Sequence, residues 1–315
     1  MKIVLCTLAF LTLLADRALA DATEDAKSAV QAFLDGNFHA AEALFTQAID
    51  SGQLDEQTLI VTLSQRCGLY VVMAMYDRGV ADCNRAIHRD ATFSPAHLNI
   101  STAYVKLGKL EDAIAETNLA LRYGRLSAAE NAMAYSNRGG YLILQGQYKF
   151  AIEDLTKAIE INPGDFKSYG NRASAYIGTG ELDKALEDAE AALRINRNAP
   201  NALNVRGLVS MYKRDFIKAM ADFDRSILLS PDGSPSYHNR GIIKYIRSDG
   251  NGAITDLNRA LAANPNAAPT LYLRGLAYRK IKKEKLAQQD LARAAEIDPN
   301  AARDINDLLR KLQAQ

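Results

Sequence analysis

A period of 34 residues constrains this 315-residue chain more than any other feature. In the stretch Ala132–Asp165, Tyr135, Arg138, Gly139 and Leu142 fall at i, i+3, i+4 and i+7, one face of a helix. Gly146 and Gln147 interrupt that face. A second one follows, with Tyr148, Ala151, Ile152, Leu155, Ala158 and Ile159 together. Pro163 then stops it, because proline lacks the amide donor and clashes with the preceding turn. One such hairpin cannot bury its apolar face alone and has to stack on copies of itself.

The copies are in register, with starts at Ala132, Phe166, Pro200, Ser234 and Ala268. Position 8 of this frame holds Gly139, Ala173, Gly207, Gly241 and Gly275, and position 20 holds Ala151, Ala185, Ala219, Ala253 and Ala287. Position 27 holds Ala158, Ala192, Ser226, Ala260 and Ala294, and proline recurs at position 32 except for Arg197. The pattern resembles the tetratricopeptide repeat family, and covers almost the whole chain after its first 20 residues. The resemblance implies an all-α, right-handed superhelical solenoid. Three further starts, at Ala22, Ile60 and Ser94, bring the expected array to eight helix–turn–helix repeats over 21–301. Two spacings are 38 residues, from 22 to 60 and from 94 to 132. Four residues add about one helical turn. Ser127-Ala128-Ala129-Glu130 has the form of a capping box, so the second insertion is expected to lengthen a first helix, with a loop bulge as the alternative. Over 302–315 the stripe Ile305, Leu308, Leu309 and Leu312 predicts a single capping helix that covers the exposed face of the last repeat.

Residues 1–20 read as a secretory signal. Lys2 precedes an apolar run too short to span a membrane, and Ala18-Leu19-Ala20 fits a cleavage site. A retained anchor is the alternative. Without this segment the acidic and basic residues balance. The expected location is periplasmic or secreted, with no membrane span in the mature chain. The net charge of +1 carries no basic excess for nucleic acid.

Position 7 holds Arg66, Arg138, Arg172, Arg206, Arg240 and Arg274, and position 23 of the same six repeats holds Asp82, Asp154, Asp188, Asp222, Asp256 and Asp290. The acid accompanies the base every time, which favours a structural ion-pair ladder over a row of anion ligands. His39, His88, His97 and His238 form no metal-ligand spacing with Cys, Asp or Glu. No phosphate loop or nucleophile–base signature occurs. The reading is therefore non-catalytic, with no cofactor, no metal and no small-molecule substrate. Cys67 and Cys83 sit at positions 8 and 24 of one repeat, nearly equidistant from its turn. Either they form a disulfide, as an oxidising compartment would favour, or they are two small buried hydrophobes.

In the family that the chain resembles, positions 2, 5, 9, 12 and 13 of each first helix line the concave face. Carried over by frame, repeats six to eight place Asn204, Leu208, Tyr212, His238, Ile242, Tyr245, Tyr272 and Leu276 there. This surface is aromatic and apolar and is expected to bind a protein or peptide, with Asn204 and His238 hydrogen-bonding its backbone. The Lys/Arg–Asn clamp by which some members grip a terminal carboxylate is missing, since positions 5 and 9 are Asn204 and Leu208, His238 and Ile242, and Tyr272 and Leu276. The alternative to groove binding is a structural assembly factor that organises an envelope complex through its edges or convex face.

Overall fold

The protein is described by a computed structural model over residues 21–232 and 234–314. The segment 1–20, read as a signal, lies outside the described residues. Among the described residues all regular structure is helical, and the chain divides into two units, Met1–Gln145 and Gly146–Gln315. The first unit holds α1 (21–34), α2 (Phe38–Asp50), α3 (Glu56–Val72), α4 (Tyr76–Arg89), α5 (Ser94–Lys106), α6 (Leu110–Tyr123) and α7 (Ala128–Leu144). The second holds α8 (Tyr148–Ile161), α9 (Phe166–Thr179), α10 (Leu182–Ile195), α11 (Pro200–Tyr212), α12 (Phe216–Leu229), α13 (Ser234–Ile246), α14 (Gly250–Ala263), α15 (Ala268–Lys280), α16 (Glu284–Ile297) and α17 (Ala301–Gln313). Within each unit the helices pack as hairpins, α3 with α4, α5 with α6, and α9 with α10 through α15 with α16, and each hairpin packs on the next.

Both four-residue insertions lie at the N-termini of first helices. α3 and α7 have 17 residues each, against 13 in α5 and 14 in α9. Asp55 caps α3 by accepting from the Thr58 amide at 2.8 Å. Ser127 and Glu130 form a reciprocal capping box on α7.

The turn between the two helices of a repeat has one fixed requirement. Position 15 has positive φ in all eight repeats: Gly36, Ala74, Gly108, Gly146, Gly180, Arg214, Ser248 and Lys282, between 58° and 82°. The amide bonds around it repeat as well. Gly180 N donates to Ile177 O and Glu181 N to Tyr176 O, while Lys282 N donates to Arg279 O and Lys283 N to Tyr278 O. This paired closure is satisfied only by a left-handed residue. Four repeats meet the requirement with glycine and four with a side chain that tolerates it poorly.

Small residues set the distance between the helices. A Cβ built on Gly207 would lie 2.7 Å from Phe223 Cε1, and one on Gly275 would lie 2.8 Å from Leu291 Cγ. Ala151, Ala185, Ala219, Ala253 and Ala287 of position 20 are all fully buried. Between these contacts the second unit is filled by Met211, Phe223, Ile243, Leu257 and Leu273. In the first unit Ile60, Leu63, Phe93 and Ile100 pack around Cys67 and Cys83. The sulfurs of these cysteines are bonded, with Cα atoms 5.5 Å apart, so α3 and α4 are covalently joined.

Most of the position-7 arginines are tied twice. Arg66, Arg172, Arg206, Arg240 and Arg274 each make a bidentate pair, Nε and Nη2 to the two carboxylate oxygens, with the aspartate 16 residues later, at 2.6–2.9 Å. The remaining nitrogen reaches back to position 25 of the preceding repeat. Nη1 of Arg66 donates to Thr46, of Arg138 to Asn118, of Arg172 to Thr156, of Arg240 to Asp224 and of Arg274 to Asn258, at 2.6–3.0 Å. Arg138 and Asp154 fall in different units. The carboxylates are buried, with Asp82, Asp154, Asp188, Asp222, Asp256 and Asp290 at 2–8% exposure. Their hydrogen bonds hold Arg172, Arg206, Arg240 and Arg274 above the usual arginine range. The third repeat has Ile100 in place of the arginine and uses another pair: His97 Nδ1 lies 2.6 Å from Glu116 Oε2 at position 23, and its Nε2 lies 2.9 Å from Ala91 O.

Two outcomes follow from these turns and this cross-link. Gly180 has φ +82° and open space where a Cβ would stand, so Gly180→Ala tests the backbone alone and is expected to lower stability by about 1 kcal/mol in urea denaturation. Ser248→Gly should move the midpoint the other way. Reducing Cys67–Cys83, which closes a short loop, is expected to lower stability by roughly 3 kcal/mol. Two thiols reactive in denaturant before any reduction would contradict the bond.

Candidate functional site

The first helices α11, α13 and α15 carry the residues that the frame assigns to the groove. Ile242 is buried, and Leu208, Tyr245, Tyr272 and Leu276 are partly buried in one apolar cluster. The same cluster contains Ile305, Leu309 and Leu312, at 1–6% exposure, and Leu308 at its margin. These four are the apolar stripe of α17. The capping helix therefore does more than cover the last repeat. It packs chiefly on α15, touches α16, and reaches α13, one repeat further back.

Two polar ties mark its path. Asn306 Nδ2 donates to the Tyr272 hydroxyl at 2.9 Å, and the Arg214 guanidinium, in the turn after α11, donates to the Ala314 carbonyl at the end of the helix. α17 thus runs from the eighth repeat to the turn of the sixth, across residues that the frame assigns to the groove. Its outer side carries Arg303, Asp304, Arg310 and Lys311, all exposed.

The other groove residues divide. Tyr212 remains 37% exposed. Tyr245 lies beside Lys280, whose Nζ is 4.8 Å from the ring centroid and donates to the Tyr245 carbonyl. Asn204 and His238, expected to meet a ligand backbone, each have one polar atom bonded inside the protein. Asn204 Oδ1 accepts from Asn239 Nδ2 at 3.0 Å and lies 3.1 Å from Ser236 Oγ, so it joins α11 to α13. His238 Nδ1 is 2.9 Å from Thr270 Oγ1, which joins α13 to α15. Polar side chains on adjacent first helices satisfy each other here, and frame position alone does not reveal it. The α17 stripe was legible in the sequence, but its destination, and the roles of Asn306 and Arg214, were not.

Among the described residues no group of three His, Cys, Asp or Glu is placed to hold a metal ion, and no helix is long and apolar enough to cross a membrane. Family models described as tetratricopeptide repeat match residues 132–165, 155–187 and 268–301, the middle of the array and its last hairpin. The chain is a tetratricopeptide repeat protein. Solved structures similar to it are dissimilar in sequence. The APC/C hetero-tetramer Cut9–Hcn1 matches with a TM-score of 0.68 at 19% identity, over 91% of this chain and 55% of that one, so the chain spans about half the length of that match. A tetratricopeptide repeat protein from Parabacteroides merdae matches at 0.58 and 17% identity, over 80% of this chain and 98% of that one. Pseudomonas aeruginosa pilF matches at 0.55 and 18% identity, over 73% and 99%. At these identities the likeness is one of fold.

His97 and His238 give this tetratricopeptide repeat protein a pH dependence of stability whose sign can be worked out. Burial pushes His238 from 6.5 down to about 4. The unfolded chain takes up that proton first, so the contribution of His238 is complete above pH 6.5 and is lost as pH falls toward 4. His97 runs the other way. Burial opposes its charge, but the hydrogen bonds to Glu116 and the Ala91 carbonyl outweigh burial and raise its pKa. Its contribution is complete below 6.5 and is lost as pH rises through the raised value. Urea titrations across this range should show His238→Gln flattening the acid limb and His97→Gln flattening the limb above pH 6.5.

Proposed function

We propose that this chain is a non-catalytic, exported scaffold that binds a segment of another protein in the groove over α11, α13 and α15. A single observation carries the reading: the apolar wall of α13 and α15, which includes Ile242, Tyr245, Tyr272 and Leu276, accommodates an amphipathic helix, since α17 packs on it. A surface that receives one apolar helical stripe has the shape and chemistry to receive another. Tyr245 and Tyr272 contribute large rigid area at low entropic cost and offer hydroxyls at the rim. Export is supported by the signal-like segment 1–20 and by the Cys67–Cys83 bond, which suits an oxidising compartment.

A second reading has its own observation. Ile217 and Leu228 on α12 are 78% and 79% exposed, and their spacing along the helix places them on the same outward side. That pair favours assembly through the outer face.

Photo-cross-linking separates the two. A photoreactive side chain at Tyr212, still open at the groove end, should trap the partner, whereas one at Ile217 or Leu228 should not. Trapping only from α12 would move the function to the outer face. For the groove reading, Tyr245→Ala is expected to weaken partner binding by about 2 kcal/mol, roughly 30-fold, measured on protein of unchanged helicity.

A further inference from the structure

We infer that α17 is a resident ligand of the groove, displaced when the partner binds, and that the partner therefore presents an amphipathic helix with apolar residues at the α17 spacing of i, i+3, i+4 and i+7. This inference rests on the groove reading given under Proposed function and adds the class of partner and the control of its access.

The packing of α17 sets it apart from the helices that build the array. α9 lies firmly against α8, and α15 against α14, as successive layers of a stack. α17 makes its main contact with the first helix α15, little with α16, and extends to α13. It occupies the position of something bound to the inner wall, in place of a ninth layer. Its tether is short: the turn Asp298-Pro299-Asn300, where Asp298 accepts from the Asn300 amide at 2.9 Å. No side chain caps its N-terminus. Asn306–Tyr272 and Arg214–Ala314 are polar ties at the surface, and the remaining hold is the four-residue stripe.

Departure of α17 alone would leave the apolar residues of α15 and α13 that it covers facing water, an apolar patch of the kind that monomers cover. Exchange avoids this, because an incoming helix covers the wall as α17 leaves. The incoming helix has to match the stripe, since the wall was shaped to Ile305, Leu308, Leu309 and Leu312. Its apparent affinity is lowered by the fraction of protein in which α17 is seated.

Arg214 supports this assignment from the side of the groove. It occupies the left-handed position of its turn, φ 63°, which glycine fills in four repeats and Ala74, Ser248 and Lys282 fill in three others. Glycine would relieve the backbone, but only a long donor reaches the Ala314 carbonyl.

The test uses the full chain and a labelled synthetic peptide copying residues 301–314. Wild-type protein should bind the peptide weakly. Arg214→Ala combined with Asn306→Ala removes both ties without touching the core and should tighten binding several-fold. Leu309→Asp, if it remains folded by circular dichroism, should tighten it by about tenfold or more. A short thiol cross-link between Tyr272→Cys and Asn306→Cys should abolish binding, and a peptide carrying Asp in place of Leu309 should not bind any variant. Amide exchange should show 301–313 opening faster than α15. Equal peptide affinity in the wild-type, released and cross-linked proteins would overturn the inference, as would exchange in 301–313 as slow as in α15. Cross-links from position 272 of one copy to 306 of another would overturn it in favour of helix exchange between copies. If the peptide behaves as expected and no partner is trapped from Tyr212, the device stands and the groove reading fails. If a partner is trapped equally by wild-type and cross-linked protein, the groove reading stands and the device fails.

Discussion

The arginine at position 7, which six of the eight hairpins carry and which leans on a buried aspartate, is the interaction on which this structure depends. A bidentate Arg–Asp pair inside a hairpin orients its two helices, but such a pair is a weak source of net stability, because both charges leave water. The donor left over gives the pair its value in an array. Nη1 of Arg66, Arg172, Arg240 and Arg274 bonds a side chain of the repeat before it, so one guanidinium fixes the inside of a repeat and its seat on its neighbour. Arg206 shows the limit of the pattern. Its position-25 neighbour is Glu190, which acts on it through space. Where the arginine is lost, at Ile100, His97 takes over the acid at position 23 with a ring that bonds at both nitrogens.

The period made the hairpins legible before any coordinates. Gly139, Ala151 and Ala158 recur because helices in close contact exclude larger side chains, and that exclusion is local and repeats. The turn was less legible. Ala74, Arg214, Ser248 and Lys282 adopt a conformation that only their place in the frame betrays, since none has the glycine that announces it. That the position-7 arginine pairs with a position-23 aspartate was visible because the two recur together, but the choice between its own repeat and the next needed the fold. The arginine's second partner was not visible, because Thr, Asn and Asp all serve as acceptors and share no letter.

The groove was the least legible part. The residues assigned to it were read from frame position, and Leu208, Ile242, Tyr245, Tyr272 and Leu276 do share one cluster. What fills that cluster depends on how far α17 can swing from Pro299, a property of three dimensions. Asn204 and His238 illustrate a second gap. Their polar atoms are used between first helices, where an observer of one repeat sees a free donor or acceptor. A polar residue on the inner face of a repeat array has to be tested first against its neighbour one period away.

The backward reach of the arginines gives the array a direction. Removal of the first hairpin strands the guanidinium of the one that follows, since Arg66 keeps Asp82 and loses Thr46 upstream. Removal of the last hairpin strands none, because its acceptor at position 25 is a side chain that water serves equally well. Repeats are therefore gained or lost with least disruption at the downstream end. A chain built this way lengthens like a zip, with its fixed stop at the beginning and its open teeth where α17 now lies.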